Sequence, residues 1–321
     1  MKKSRKISVL AVLAVAVSLC LAGSASAASP ARVYLRTADH FAILTGAGIT
    51  DAGASRILAG DVGNPAGAQI VLLTSQLTAP GIIYDSDGGY GSGAVTDGPL
   101  LLQAAQDWTD AYDDAAGRPV TEDLSTHDLN EKPLIPGVYR FTSAAQLTGQ
   151  LTLNANGEAD PVWIFQIVSD LTTAPGSSVI FTNTGTGGRL GTPCDVFWQV
   201  GSSVTLDTTT SFVGIIMAYD LIEMHDGATL LGSVLSETDQ VTLINNDITK
   251  GPCALAPSPT PIPAPTPVPA PGSGLPYTGE IVSYMKSNPW NIAMLAGVFT
   301  VSILFAASLL FMVARRKRQT S

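Results

Sequence analysis

A unit of an apolar residue, Thr and Leu recurs as Leu151-Thr-Leu153, Val204-Thr-Leu206, Ala228-Thr-Leu230 and Val241-Thr-Leu243. It belongs to a series of short runs rich in β-branched and aromatic residues, each closed by Gly, Asn, Asp or Ser. The runs are Gln146–Leu153, Val162–Ile167, Ser177–Phe181, Val196–Val200, Ser203–Leu206, Phe212–Met217, Ala228–Leu231 and Gln240–Ile244. This pattern predicts strands. Strands this short bury little alone. Near-repeats at roughly 10–20 residue intervals fit the stacked coils of a β-solenoid. A β-sandwich of the same strands is the competing architecture.

One stretch breaks the pattern. Leu101, Ala105, Trp108, Tyr112 and Ala115 recur at helical spacing. Thr96 and Asp97 are suited to cap this helix and Pro99 to its first position, and Gly117-Arg-Pro119 ends it. The fold class expected is therefore mostly β with one long amphipathic helix.

The two ends read as addresses. Lys2, Lys3, Arg5 and Lys6 precede an apolar run from Ile7 to about Leu21, and Ala25-Ser-Ala27 follows. This is the pattern of a signal peptide over residues 1–27. A lipid anchor on Cys20 is excluded by the bulky Leu19 before it. At the other end, residues 292–314 form an uncharged apolar run long enough to cross a bilayer as a helix. Residues 315–321 open with Arg315, Arg316, Lys317 and Arg318, which hold that end in the cytoplasm.

Just upstream stand Leu275, Pro276, Tyr277, Thr278 and Gly279. This motif, the apolar span and the basic tail together resemble the cell-wall sorting signal of Gram-positive bacteria. The resemblance implies membrane retention, then attack by a sortase cysteine on the Thr278 carbonyl and transfer of Thr278 to peptidoglycan. Residues 254–274 carry Pro at every second position from Pro257 to Pro271. Such a spacer is extended, at about 3.1 Å per residue.

Between the ends lies the exported domain, residues 28–253. The whole chain has a formal net charge of -9 and only 13% charged residues. From Ala28 to Thr278, eight basic residues face 25 acidic ones, leaving about -17. A domain this acidic, with no basic stripe, is not built to bind nucleic acid. Cys194 and Cys253 survive removal of the signal, and an even count in an exported protein favours a disulfide. Two buried free thiols are the alternative.

Signs of catalysis or metal binding are few. His40, His127 and His225 lack metal-ligand spacing, and no nucleophile elbow or phosphate loop occurs. Asp85-Ser-Asp87-Gly88 opens like a calcium loop, but Tyr90 and Thr96 occupy its glycine and closing carboxylate positions. Neither enzyme activity, nor a cofactor, nor a resident metal is expected.

Segments throughout the domain match a known family in order and spacing. They are Leu35–Leu44, Gly60-Asp-Val-Gly63, Ala111–Pro119, Leu134–Tyr139, Leu147–Leu153, Val162–Ile167, Val196–Ser203 and Gly227–Leu230. Over about Val33–Thr249 the chain resembles the microbial ice-binding protein family. The resemblance implies a right-handed β-helix of triangular cross-section with one long helix alongside. It also implies that ice is the partner.

Stacked strands set Thr side chains in rows about 4.7 Å apart, which can order surface water into an ice-like layer. The candidate threonines are Thr148, Thr152, Thr172, Thr173, Thr205, Thr208, Thr210, Thr229 and Thr242. Solenoid strands also need outward β-branched polar residues without any ice function. The Thr-Ala/Gly-x-Thr/Asn motif of some family members is absent, and Tyr219–Asp226 and Glu237–Asp239 are bulky and charged. Ice binding requires these charges to lie away from the binding face. A surface adhesin, or a structural wall protein on the same solenoid, is the alternative.

Overall fold

The structure, a computed structural model, describes residues 29–251 apart from 68, 73–75, 79, 80, 91 and 92. By its contacts the chain divides into Met1–Pro257 and Ser258–Ser321, and every described residue belongs to the first unit. The signal, spacer, sorting motif and apolar span all lie outside the described residues.

Six strands precede the long helix: β1 (Phe41–Thr45), β2 (Ile49–Asp51), β3 (Arg56–Ala59), β4 (Asp61–Asn64), β5 (Ile83–Asp85) and β6 (Ala94–Thr96). The helix α1 spans Gly98–Gly117. Then come β7 (Glu122–Asp123), β8 (Gly137–Phe141), β9 (Ala145–Leu147), β10 (Gln150–Asn154), β11 (Trp163–Ile167), β12 (Leu171–Thr173) and β13 (Ser178–Thr182). The last seven are β14 (Val196–Val200), β15 (Val204–Leu206), β16 (Ser211–Ala218), β17 (Ile222–Met224), β18 (Thr229–Ser236), β19 (Val241–Leu243) and β20 (Asp247–Thr249). The run Gln146–Leu153, expected as one strand, is two, because the chain turns a corner at Thr148-Gly149.

All pairings among these strands are parallel, and the chain visits three ladders in turn. The first ladder runs β6-β5-β4-β1-β18-β16-β14-β11-β8-β7. The second runs β2-β19-β17-β15-β12-β9. The third joins β3, β20, the first halves of β18 and β16, β13 and β10. Coiling on three ladders is the β-solenoid expectation, and it excludes the sandwich, whose sheets are antiparallel.

The long strands β16 and β18 cross from the third ladder to the first. They bend at Gly214 (φ 120°) and Gly232 (φ 153°), which pair with each other. A Cβ at Gly232 would stand 1.8 Å from the Gly214 carbonyl oxygen. Gly232→Ala should therefore destabilise the domain by about 4 kcal/mol, read as a fall of roughly 10 °C in Tm.

The stacking order is not the chain order. β1 lies on β18, so the first coil is stacked on the last. α1 carries the chain from β6 at one end of the first ladder to β7 at the other, covering about 30 Å. Asp97 caps it, accepting from the Leu100 N–H at 3.0 Å. Its buried face is Leu101, Ala104, Asp107, Trp108, Ala111 and Ala115. Ala105 and Tyr112 of the expected stripe lie at the margin of that face. The helix covers the outer side of the first ladder, which explains why β1, β11 and β14 are buried at every position. At its C-terminus the Gln166 amide donates to the Arg118 carbonyl and to the Ala115 carbonyl, which also accepts from the Arg118 N–H.

Inside the coil, aromatic side chains stack rung on rung. Ring centroids are 5.6 Å apart for Tyr139–Phe165, 3.9 Å for Phe165–Trp198 and 4.8 Å for Trp198–Phe212. The Trp163 and Trp198 indole N–H groups donate to the Leu134 and Val213 carbonyls. Cys194 is buried and disulfide-bonded; Cys253 lies outside the described residues.

Candidate functional site

With the first ladder under α1, two ladders face outward. The second is built of three-residue strands, and its side chains alternate inward, outward, inward, with buried residues such as Val204 and Leu206 flanking one outward position. The register places the outward residues in one column: Gln146, Thr172, Thr205, Glu223, Thr242 and Thr50. A further bridge between Ile49 and Ile70 sets the exposed Val71 beside Thr50. Neighbours in the column are about 4.8 Å apart, so seven positions span about 29 Å. The Thr50 and Thr242 hydroxyls are 3.3 Å apart.

The third ladder is less regular. Its outer positions mix Ser211, Thr229, Leu231, Asp247 and Arg56, with Arg56 and Asp247 forming an ion pair. The register slips between β20 and β3, and β13 meets β16 at Ser178–Ser211 alone.

The nine candidate threonines fall into four groups. Thr172, Thr205 and Thr242 share the column on the second ladder. Thr148 is exposed at that ladder's margin, and Thr208 is half-buried in the turn after β15. Thr152 and Thr229 lie on the third ladder. Thr173 and Thr210, at 1% and 0% exposure, do not reach the surface. Their hydroxyls bond to each other at 2.9 Å beneath the corner, so they support the turn. Thr50 and Gln146 complete the column and were not among the candidates. Thr50 sits in the sequence unit Ile49-Thr-Asp51, an apolar-Thr signal that the recurring unit also shows.

The charged segments divide as well. Tyr219 and Asp220 occupy the turn before β17, Asp226 the turn after it, and Glu237–Asp239 the turn before β19. Glu223, by contrast, stands in the column between Thr205 and Thr242. The condition that these charges lie away from the binding face is thus not met at this position. Just past the end of β17, His225 Nδ1 lies 3.2 Å from Asp207 Oδ1. The Thr208 backbone N–H, with His225, holds the Asp207 carboxyl below its ordinary value.

Among the described residues, no group of three or more His, Cys, Asp or Glu is arranged to hold a metal ion, and no helix is long and apolar enough to cross a membrane. In the calcium-like loop, Asp85 turns its oxygens to the Gly88 and Tyr90 N–H groups.

The sequence profile of the ice-binding-like family matches residues 43–249. The chain belongs to that family. It is 36% identical over 232 residues to an ice-binding protein of Colwellia sp, covering 71% of this chain and 87% of that one. An ice-binding protein of Leucosporidium sp. is 34% identical over 238 residues, 68% of this chain and 85% of that one. The crystal structure of an ice-binding protein from the Antarctic ascomycete Antarctomyces psychrotrophicus superposes with a TM-score of 0.57 at 32% identity, over 68% of this chain and 98% of that one. A glycosylated ice-binding protein from an Arctic yeast gives 0.60 at 29% identity, over 72% and 97%. The parallel ladders and single long helix match these structures.

Proposed function

We propose that this protein binds ice through the second ladder, and that it does so while fixed to the outside of its cell. The in-register column of Gln146, Thr172, Thr205, Glu223, Thr242 and Thr50, four of them Thr, carries the reading. Each Thr offers a methyl group and a hydroxyl on a rigid lattice of backbone hydrogen bonds, so little order is lost when water freezes onto the row. The names of the relatives agree with it.

The rest of the chain supplies position. The signal peptide exports the domain, the Pro-rich spacer holds it off the surface by up to about 60 Å, and sortase joins Thr278 to peptidoglycan. A net charge near -17 repels anionic wall polymers and suits a domain held at a distance. The Cys194 disulfide, with Cys253 as partner, ties the end of the domain to its body where the spacer begins.

Glu223 and the Asp207–His225 pair favour a second reading, an adhesin on the same scaffold without ice activity. The measurement that separates the two is the gap between melting and freezing points, with crystal shape, for residues 28–278. A freezing gap with faceted crystals is expected. Smooth discs and no gap at high concentration would leave the adhesin reading.

A further inference from the structure

We infer that Glu223 divides the second-ladder face into two short ice-facing patches and thereby sets how strongly the protein holds ice; the inference rests on the ice-binding reading above. On one side of Glu223 lie Gln146, Thr172 and Thr205, and on the other Thr242, Thr50 and Val71. Each patch is about 10 Å long, against about 29 Å for the uninterrupted column.

A carboxylate organises its first water shell around its own charge. Threonine tolerates water in an ice-like arrangement because its hydroxyl both donates and accepts while its methyl group does neither. Placing ice over an unpaired carboxylate removes hydration that nothing replaces. Among the described residues no ion pair engages Glu223. Its sequence neighbours Ile222 and Met224 are buried, so the strand itself is fixed and cannot turn this side chain away from the face. The substitution is thus local: a Thr here would continue the column with no change in backbone.

A divided face suits an anchored protein. Many copies on one cell bind together, so each copy needs less affinity than a soluble inhibitor does.

The test compares residues 28–278 with the variants Glu223→Thr and Glu223→Gln, using Glu158→Gln as a charge-matched control off the ladder. Equal Tm values confirm that all are folded. Glu223→Thr is expected to raise the freezing gap at equal concentration by roughly threefold or more, Glu223→Gln by less, and Glu158→Gln not at all. A gain in Glu223→Thr over an inactive parent supports the inference equally. If the parent shapes ice and both Glu223 variants match it, the inference is overturned. If no variant shapes ice, the ice-binding reading itself fails, and the inference with it.

Discussion

Thr205→Tyr is expected to reduce the freezing gap of the secreted domain by tenfold or more, while leaving its fold intact. Thr205 is third of the seven positions in the outward column and ends the patch that begins at Gln146, paired on one side with Thr172 and on the other with Glu223. A Tyr ring at this point stands several ångströms above its neighbours and keeps a flat crystal surface from touching the rungs on either side. The flanking Val204 and Leu206 keep their burial, and Tyr is as much at home in a strand as Thr, so Tm should hold. Thr229→Tyr is the control, since Thr229 is exposed on the third ladder. Freezing gap and crystal shape for the two variants side by side provide the check. Equal loss in both, or in neither, would remove the second ladder from consideration.

Thr278→Ala is expected to move the protein from the cell-wall fraction to the membrane fraction. On the sorting reading proposed above, the Thr278 carbonyl is the group that a sortase cysteine attacks, and the substitution removes the Thr of the Leu275–Gly279 motif. Without transfer, the uncharged run at residues 292–314 stays in the bilayer and the basic residues after it keep the tail inside. Fractionation of cells followed by wall digestion reads the outcome. Nearly all of the parent should be released by a peptidoglycan hydrolase and nearly none of the variant. A variant still covalently bound to the wall would sink the sorting assignment.

The helix was legible in the sequence because its signals are local. Asp97, Pro99 and the Gly117-Arg118-Pro119 stop act within a turn or two of themselves. Most strands of the second half were legible as strands, since β-branched and aromatic runs closed by turn residues need no partner to be recognised; β8, β12, β17 and β20 fell outside those runs. Two kinds of error followed from distance. Gln146–Leu153 alternates as one strand does, but the corner at Gly149 turns its two halves onto different ladders. Thr173 follows Thr172 in what reads as one polar step, yet its hydroxyl points inward to Thr210, 37 residues away.

What the sequence determined by itself is what is read one segment at a time: the helix, the small coil-forming units and the acidic balance of the domain. Caps, turn residues and β-branched runs act over a few residues, so these features are visible without a fold. Which threonines form a row was decided by tertiary structure alone. Row membership depends on register between strands that are not neighbours in sequence, as in Thr242 beside Thr50, which are paired because α1 returns the chain along the stack and leaves the first coil to close on the last. The same register sets Glu223 among the threonines. Backbone hydrogen bonds across the rungs fix that arrangement, and no local propensity contains it.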